Sequence, residues 1–101
     1  MGSLIKACSA AEVPAGECRT VEVSGRQLGL FNVDGKIYCL DNTCPHQGGP
    51  LGEGSLEGSV VTCPWHGWQF DVTTGVSPVN PAAQAETVAC KIEGGSILVE
   101  L

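Results

Sequence analysis

Two cysteines and both histidines of the chain fall into a paired motif, Cys44-x-His46 followed after sixteen residues by Cys63-x-x-His66. Each half of the motif supplies one thiolate and one imidazole. A zinc finger usually groups two cysteines in one half and two histidines in the other. The mixed pairing instead suits a two-iron cluster in which cysteines hold one iron and histidines hold the other. The motif therefore predicts an asymmetric iron–sulfur centre clamped by two loops, with a structural zinc site on the same four residues as the alternative.

The segments around these ligands resemble a known family. Residues 44–51 read CPHQGGPL and residues 63–71 read CPWHGWQFD. They resemble the two cluster loops of Rieske proteins, specifically the small ferredoxins of bacterial aromatic-ring-hydroxylating dioxygenase systems, and the resemblance extends over essentially the whole chain. It implies one Rieske-type 2Fe-2S cluster, with the two cysteines on a buried iron and the two histidines on an outer iron whose imidazole edges reach solvent.

The charge of such a centre favours its reduction. An oxidised cluster with two thiolates and two neutral imidazoles is neutral, whereas a four-cysteine cluster starts at about −2. Rieske centres accordingly have potentials of roughly −150 to +300 mV, against about −400 mV for the four-cysteine type. High-potential Rieske proteins carry an extra disulfide and two hydroxyl donors, and the matching positions here are Gly49, Trp65, Trp68 and Phe70. Since none of these replaces the disulfide or the hydroxyls, we expect a potential near the low end of the range.

The resemblance favours a soluble one-electron carrier that takes electrons from a ferredoxin reductase and passes them to a terminal ring-hydroxylating oxygenase, docking transiently at the histidine edge. A Rieske-like small subunit of a nitrite reductase, or of another multicomponent oxidoreductase, is the alternative. A zinc-stabilised interaction module is a further hypothesis. An oxygenase would need a mononuclear iron held by two further histidines and a carboxylate. Both histidines are already used, so we expect no catalytic residues and no enzyme activity.

The length and net charge of the chain further limit the possible classes of protein. A chain of 101 residues is expected to form one domain, residues 1–101. Its 11 acidic and 5 basic side chains give a formal charge of −6 without any Lys/Arg cluster, which argues against nucleic acid. The acidic surface either steers the protein toward a basic patch on a redox partner or merely keeps it in solution.

The first ten residues lack signal-peptide features, and no segment has the roughly 18 to 20 apolar residues that span a bilayer. We therefore expect a cytoplasmic protein that does not contact membranes.

Four cysteines, Cys8, Cys18, Cys39 and Cys90, lie outside the motif. We expect them to behave as small buried apolar residues. Cys39 ends a strand that leads into the first loop and could pack beneath the site, but it is not assigned as a ligand. In a reducing compartment, six cysteines indicate metal ligands and reduced thiols rather than a disulfide framework.

Alternating hydrophobic residues predict the strands that position the motif. These strands are Thr20–Val23, Leu28–Val33, Lys36–Leu40, Ser59–Thr62, Trp68–Val72, Thr87–Ile92 and Ser96–Leu101. Asp34-Gly35 and Glu93-Gly94-Gly95 are the expected hairpin turns. Loops at about 42–58 and 63–71 carry the ligands, and a proline-rich stretch at about 75–81 is expected to lie over a neighbouring loop, because proline cannot donate to a ladder. With the resemblance, this predicts an all-β Rieske iron–sulfur fold: antiparallel β-sheets in a sandwich with a two-loop cluster-binding subdomain.

Overall fold

A computed structural model describes residues 3–42, 51–64, 67–79 and 84–100. Its strands are β1 (Leu4–Ser9), β2 (Cys18–Val23), β3 (Arg26–Val33), β4 (Lys36–Asp41), β5 (Ser55–Glu57), β6 (Val60–Thr62), β7 (Gln69–Asp71), β8 (Thr87–Val88), β9 (Cys90–Glu93) and β10 (Ser96–Glu100). Within the described ranges, the helical segments are two short 3-10 turns, Ala10–Glu12 and Leu51–Glu53. The predicted all-β class with very low helix content is confirmed.

The strands form three antiparallel sheets, in the orders β1-β10-β9, β2-β3-β4-β8 and β5-β6-β7. The predicted hairpin between β3 and β4 is present, with Val33 opposite Lys36. Its two turn residues, Asp34 and Gly35, have φ values of 52° and 93°. Two successive positive φ angles match the right-handed twist of the flanking strands, which is why Asp-Gly favours this turn. We call the sheet of β2, β3, β4 and β8 the central sheet, and the sheet of β5, β6 and β7 the cluster sheet.

The central sheet separates two hydrophobic cores. Successive side chains of a strand point to opposite faces, so Leu30 of β3 enters the first core and Phe31 enters the second. On β4, Cys39 and Leu40 divide in the same way. The buried residues of the first core are Val13, Val23, Leu28, Leu30, Ile37, Cys39, Val88, Ile97 and Val99. Those of the second core are Phe31, Leu40, Leu51, Val61, Cys63, Phe70, Val72 and Ala85.

The first strand was not predicted from the sequence. β1 pairs with β10 from Leu4↔Glu100 to Ser9↔Ser96, and its register shifts between Lys6 and Cys8. This bulge interrupts the inward–outward alternation of side chains. Because the partner strand lies at the other end of the chain, local hydrophobic patterning gives no indication of the pairing.

Two further boundaries differ from the prediction. The stretch 42–58, expected to be a loop throughout, contains β5, which forms a short hairpin with β6 through Ser55↔Thr62 and Glu57↔Val60. The single strand expected at Thr87–Ile92 is divided at Ala89. β8 pairs with β4 in the central sheet, whereas β9 pairs with β10, so the chain crosses from one sheet to another at this point. Glu93 ends β9, and its turn is formed by Gly94 and Gly95.

None of the helical segments in the described ranges has the length and hydropathy of a membrane span.

Candidate metal centre

The structure describes one of the four predicted ligands. Cys63 directly follows β6 and is 1% exposed, packed in the second core. Cys44 and His46 fall in residues 43–50, and His66 falls in residues 65–66 together with Trp65; all of these lie outside the described residues. The geometry of the site is therefore given by Cys63 and by the segments that lead into and out of these two ranges.

The ends of the first ligand segment are joined by backbone hydrogen bonding. Asn42 is the last described residue before it and Leu51 the first after it. The Leu51 N–H donates to the Asn42 carbonyl at 2.8 Å. The Gly52 N–H donates to the Asn42 side-chain oxygen, Oδ1, at 2.6 Å. Residues 43–50 therefore begin and end at one point on the edge of the central sheet.

The second ligand segment is closed in a comparable way. The Cys63 N–H donates to the carbonyl of Trp68 at 2.6 Å. On either side of this bond, β6 and β7 pair through Thr62↔Gln69 and Val61↔Phe70. Cys63 and Trp68 thus extend the β6–β7 pairing by one step, and the backbone of Cys63 is held there.

Gly54 allows the chain that leaves the first ligand segment to lie close to the strand that precedes Cys63. A Cβ atom built on Gly54 would collide with the carbonyl oxygen of Thr62, the residue before Cys63. The carbonyl of Gly54 also accepts a hydrogen bond from Cys18 Sγ at 3.2 Å. Since glycine has no side chain, the chain leaving the first segment can lie against the strand that enters the second. This contact places the residues that follow the first ligand segment beside the strand that leads into Cys63.

The proline-rich stretch begins where β7 ends. The Gly75 N–H donates to the Asp71 carbonyl at 2.6 Å, and the Gly75 carbonyl accepts from the Ala85 N–H at 2.7 Å. Val76 pairs with Gln84 as a single antiparallel bridge. As expected, the described part of the stretch forms no strand. Residues 80 and 81 of the predicted stretch 75–81 lie outside the described residues.

The charges around the site are strongly unequal. Between Lys36 and Lys91 the sequence contains no lysine or arginine. Glu53, Glu57 and Asp71 are the charged residues of the described ranges 51–64 and 67–79, and no ion pair involves them among the described residues. The described part of the chain around Cys63 therefore carries only acidic charges, of which Glu53 is the one next to the first ligand segment.

One cation lies near the start of the first ligand segment. Arg26 donates to Asp41 at 3.3 Å and to Glu86 at 2.8 Å. These hydrogen bonds raise the pKa of the Arg26 guanidinium. The backbone N–H of Asp41 also donates to the Glu86 carbonyl at 2.8 Å. Arg26 thus links the residue before Asn42 to the chain that returns from the proline-rich stretch.

Of the four cysteines outside the motif, Cys39 is buried as predicted, whereas Cys8, Cys18 and Cys90 are only partly buried. Cys39 is buried in the first core, where Cys8 and Cys90 also pack, and Cys18 packs against the second core. Burial raises the pKa of each of these thiols, and that of Cys39 reaches about 12. A neutral thiol is a poor metal ligand. Among the described residues no group of three or more potential ligands was found.

Two expectations about individual side chains have different outcomes. A tryptophan next to a loop is expected to pack in the core, and Trp68 confirms this, because it is half-buried and packs against the second core. The suggestion that Cys39 packs beneath the site is wrong. Cys39 lies on the first-core face of β4, and its neighbour Leu40 is the residue that shares the second core with Cys63.

The residues around Cys63 fit an iron–sulfur cluster of the predicted type. Two thiols and two imidazoles are the donor set of such a cluster, and the chain has both. Cys63 lies in an apolar core, where burying net charge is costly. No cation from the described ranges 51–64 and 67–79 is available to offset a strongly negative group. A centre that is neutral when oxidised therefore suits this environment better than a four-thiolate one.

Sequence reasoning missed the residues that close the first segment. The sequence pattern places Asn42 at the start of the predicted loop 42–58 and Gly52 and Gly54 within it, and it indicates no role for any of them. A buried asparagine at the edge of a turn can be suspected, because its short side chain readily bonds to the backbone. Its actual partners, Thr20 and Gly52, are distant in sequence or across the segment, and no local pattern identifies them.

Comparison with known proteins agrees with the predicted type of cluster. The family model for the Rieske [2Fe-2S] domain matches residues 3–92. The chain is 39% identical over 98 residues to the ferredoxin component of the naphthalene 1,2-dioxygenase system of Pseudomonas aeruginosa, covering 96% of this chain and 94% of that protein.

Two solved structures have the same fold. The Sphingomonas yanoikuyae B1 ferredoxin superposes with a TM-score of 0.87 at 30% identity, covering 98% of this chain and 99% of that one. A chain from the complex of reduced oxygenase and oxidized ferredoxin in carbazole 1,9a-dioxygenase also gives 0.87 at 30% identity, covering 96% and 92%. The predicted Rieske fold and its resemblance to these ferredoxins are confirmed.

Proposed function

The chain belongs to the Rieske [2Fe-2S] domain family, and on that premise we propose that one domain, residues 1–101, holds the cluster on the four residues of the paired motif, Cys44, His46, Cys63 and His66. The observation that carries this proposal is the approach of Gly54 to Thr62, because it joins the end of the first ligand segment to the strand that presents Cys63. The protein is an electron carrier rather than an enzyme. Its cofactor is one Rieske-type cluster, which supplies a one-electron couple when bound.

Residues of the protein itself restrict the motion of Cys63 and shield it from solvent on one side. Cys63 is fixed by its backbone bond to Trp68 and by apolar neighbours such as Phe70 and Leu51. Pro64 and Gly67, the described residues beside the second segment, are exposed. A buried cysteine side and an exposed loop end together support electron exchange through the outer, histidine-bearing face. A rigid site changes little in geometry on reduction, which favours fast transfer.

We propose a ferredoxin reductase as electron donor and a terminal ring-hydroxylating oxygenase as acceptor. The relatives support this assignment, because the Pseudomonas aeruginosa protein is named as a dioxygenase-system ferredoxin and the carbazole complex pairs a ferredoxin with an oxygenase. Transient docking at the histidine edge, in the cytoplasm, completes the proposal. The exposed acidic residue Glu53 would lie near this edge and attract a basic partner surface.

Stopped-flow spectroscopy tests the proposal with the reductase and the oxygenase of a naphthalene dioxygenase system. The visible absorbance of the reconstituted chain should bleach with reductase and reduced nicotinamide nucleotide, then recover when oxygenase, substrate and oxygen are added. Failure of the dithionite-reducible chain to exchange electrons with either protein would contradict the carrier assignment.

Charge reversal tests the docking face. Glu53→Lys in the 3-10 turn Leu51–Glu53 should slow electron exchange at low ionic strength and weaken its dependence on salt, since it removes attraction beside the first ligand segment. Glu100→Lys on β10 makes the same change in net charge within the sheet of β1, β10 and β9 and serves as the matched control. Equal slowing by both variants would show that overall charge, and not this face, governs the encounter.

A further inference from the structure

We propose that Asn42 is a positioning residue for the cluster: it clasps the two ends of the first ligand segment and thereby fixes Cys44 and His46. The inference rests on the ligand set proposed above. It concerns a residue outside the motif, whose contacts lie entirely within the described part of the chain.

Asn42 makes hydrogen bonds on both sides of the segment with its backbone and its side chain. Its carbonyl accepts from the Leu51 N–H at 2.8 Å, and its Oδ1 accepts from the Gly52 N–H at 2.6 Å. Residues 43–50 are therefore tied at their base by two adjacent bonds to a single residue. Two such bonds restrict the relative rotation of the segment's ends, which one bond would leave freer.

Asn42 is itself hydrogen-bonded to strands of the central sheet. The Asn42 N–H donates to the Gln27 carbonyl of β3 at 3.0 Å. The Thr20 hydroxyl of β2 donates to Asn42 Oδ1 at 3.3 Å. Asn42 is 4% exposed, so water competes little for these bonds. The first ligand segment is thus positioned by the sheet through Asn42.

The site also requires close approach of the returning chain. A Cβ atom at Gly52 would lie 2.5 Å from Thr20 Oγ1, 2.9 Å from Asn42 Oδ1 and 2.9 Å from the Thr20 Cα. Only glycine allows the Gly52 N–H to reach the asparagine without displacing the Thr20 backbone. The asparagine, the threonine and the glycine therefore form one packed unit at the base of the segment.

A second asparagine provides a matched control within the same molecule. Asn32 on β3 is 8% exposed, its Oδ1 accepts from the Gly35 N–H at 2.7 Å, and its carbonyl accepts from the Gly16 N–H at 2.9 Å. Its Nδ2 also donates to the Val13 carbonyl at 2.7 Å. Asn32 therefore has the burial and bonding of Asn42, but it supports the hairpin turn and the Val13 segment instead of a ligand segment.

The two asparagines separate positioning from stability. Asn42→Ala and Asn32→Ala each remove a buried acceptor, and both should lower the midpoint of urea unfolding. Only Asn42→Ala should also accelerate loss of the visible absorbance to an iron chelator under native conditions, by roughly tenfold, the factor expected when a buried hydrogen bond is lost. It should likewise broaden the electron paramagnetic resonance (EPR) signal of the dithionite-reduced protein, because the ligands become less uniformly held.

Two conservative variants decide the question if Asn42→Ala does not fold. Thr20→Val removes one donor to Asn42 Oδ1 with little change in shape and should give a smaller increase in the rate of cluster loss. Asn42→Asp keeps the acceptor oxygen toward Gly52 but buries a negative charge, so it should lose its cluster at a rate between those of wild type and Asn42→Ala.

Equal rates of cluster loss and equal EPR line shapes in Asn42→Ala and Asn32→Ala would overturn the positioning role. With the alanine variant unfolded, a wild-type rate in Thr20→Val would overturn it. A wild-type chain that binds no iron and sulfide would instead contradict the proposed ligand set, so the two failures are distinguishable.

Discussion

The backbone N–H of Cys63 donates a 2.6 Å hydrogen bond to the carbonyl of Trp68. This bond continues the ladder of β6 and β7 by one step beyond Thr62↔Gln69. Cys63 consequently belongs to the base of a hairpin, with a backbone position set by the cluster sheet. Cys63, the proposed ligand within the described residues, is thus both buried and held by regular backbone pairing.

The reduction potential should lie near the low end of the roughly −150 to +300 mV range of Rieske centres. The positions that match the hydroxyl donors of high-potential members hold Trp68 and Phe70, and Phe70 is fully buried. Phe70→Tyr should raise the midpoint potential by about 40 mV, the effect of about 1 kcal/mol of hydrogen bonding on a one-electron couple.

Phe31→Tyr is the control for that substitution, because Phe31 is equally buried in the second core but lies on β3, outside both ligand segments. Spectroelectrochemical titration distinguishes the two. A wild-type potential well above zero, or equal shifts in both variants, would contradict the account of how the site sets its potential.

Gly75 should tolerate a side chain much less well than Gly25, although both have a φ of 79°. A Cβ atom at Gly25 meets nothing within 4 Å, whereas one at Gly75 collides with the carbonyl oxygen of Ala85. Gly25→Ala should cost about 1–2 kcal/mol of unfolding free energy from backbone strain alone. Gly75→Ala should cost about 1–3 kcal/mol more, because the clash displaces backbone. Urea unfolding of the two variants measures the difference, and equal losses would show that the return of the proline-rich stretch is not tightly packed.

Stability should decline at alkaline pH partly through Cys39. Burial, with a smaller effect from Cys90, raises the pKa of its thiol from 9.0 to about 12. Between these values the unfolded thiol has lost its proton while the folded one keeps it. Unfolding then releases a proton and becomes easier as pH rises, whereas below pH 9.0 the group has no such effect.

Cys39→Ala tests this alkaline effect. The variant should be less stable at neutral pH because it loses core packing, yet its unfolding free energy should fall less steeply above pH 9.0. The same slope in variant and wild type, measured by chemical unfolding across the pH series, would remove Cys39 as a cause.

Local signals predicted the parts of the fold that are locally determined. The β3–β4 hairpin follows from hydrophobic alternation on either side of Asp34-Gly35, and β6 and β7 follow from the hydrophobic patterning of Ser59–Thr62 and Trp68–Val72. β1 escaped prediction because it pairs with β10 and because a bulge between Lys6 and Cys8 breaks its alternation. The division of β8 from β9 escaped because Ala89 marks a change of sheet, which depends on partners and not on propensity.

The candidate site likewise has features that the sequence predicts and features that it does not. The ligand types and their spacing are properties of the sequence, so all four ligands could be proposed from it. The supports of the site arise from contacts between distant residues, such as Thr20 with Asn42 and Gly54 with Thr62. Those contacts exist only once the central sheet and the cluster sheet have formed, and sequence patterns do not contain them.

The most direct test of the two-loop cluster is the visible and EPR spectrum of the reconstituted protein before and after dithionite, together with its iron and acid-labile sulfide content. Wild type should be coloured, contain about two irons and two sulfides per chain, and develop an EPR signal on reduction. Cys63→Ala should lose these properties, whereas Cys39→Ala, which replaces an almost equally buried cysteine, should keep them. A colourless wild-type protein that binds zinc and stays silent to dithionite, or a Cys63→Ala variant with the wild-type spectrum, would contradict the account.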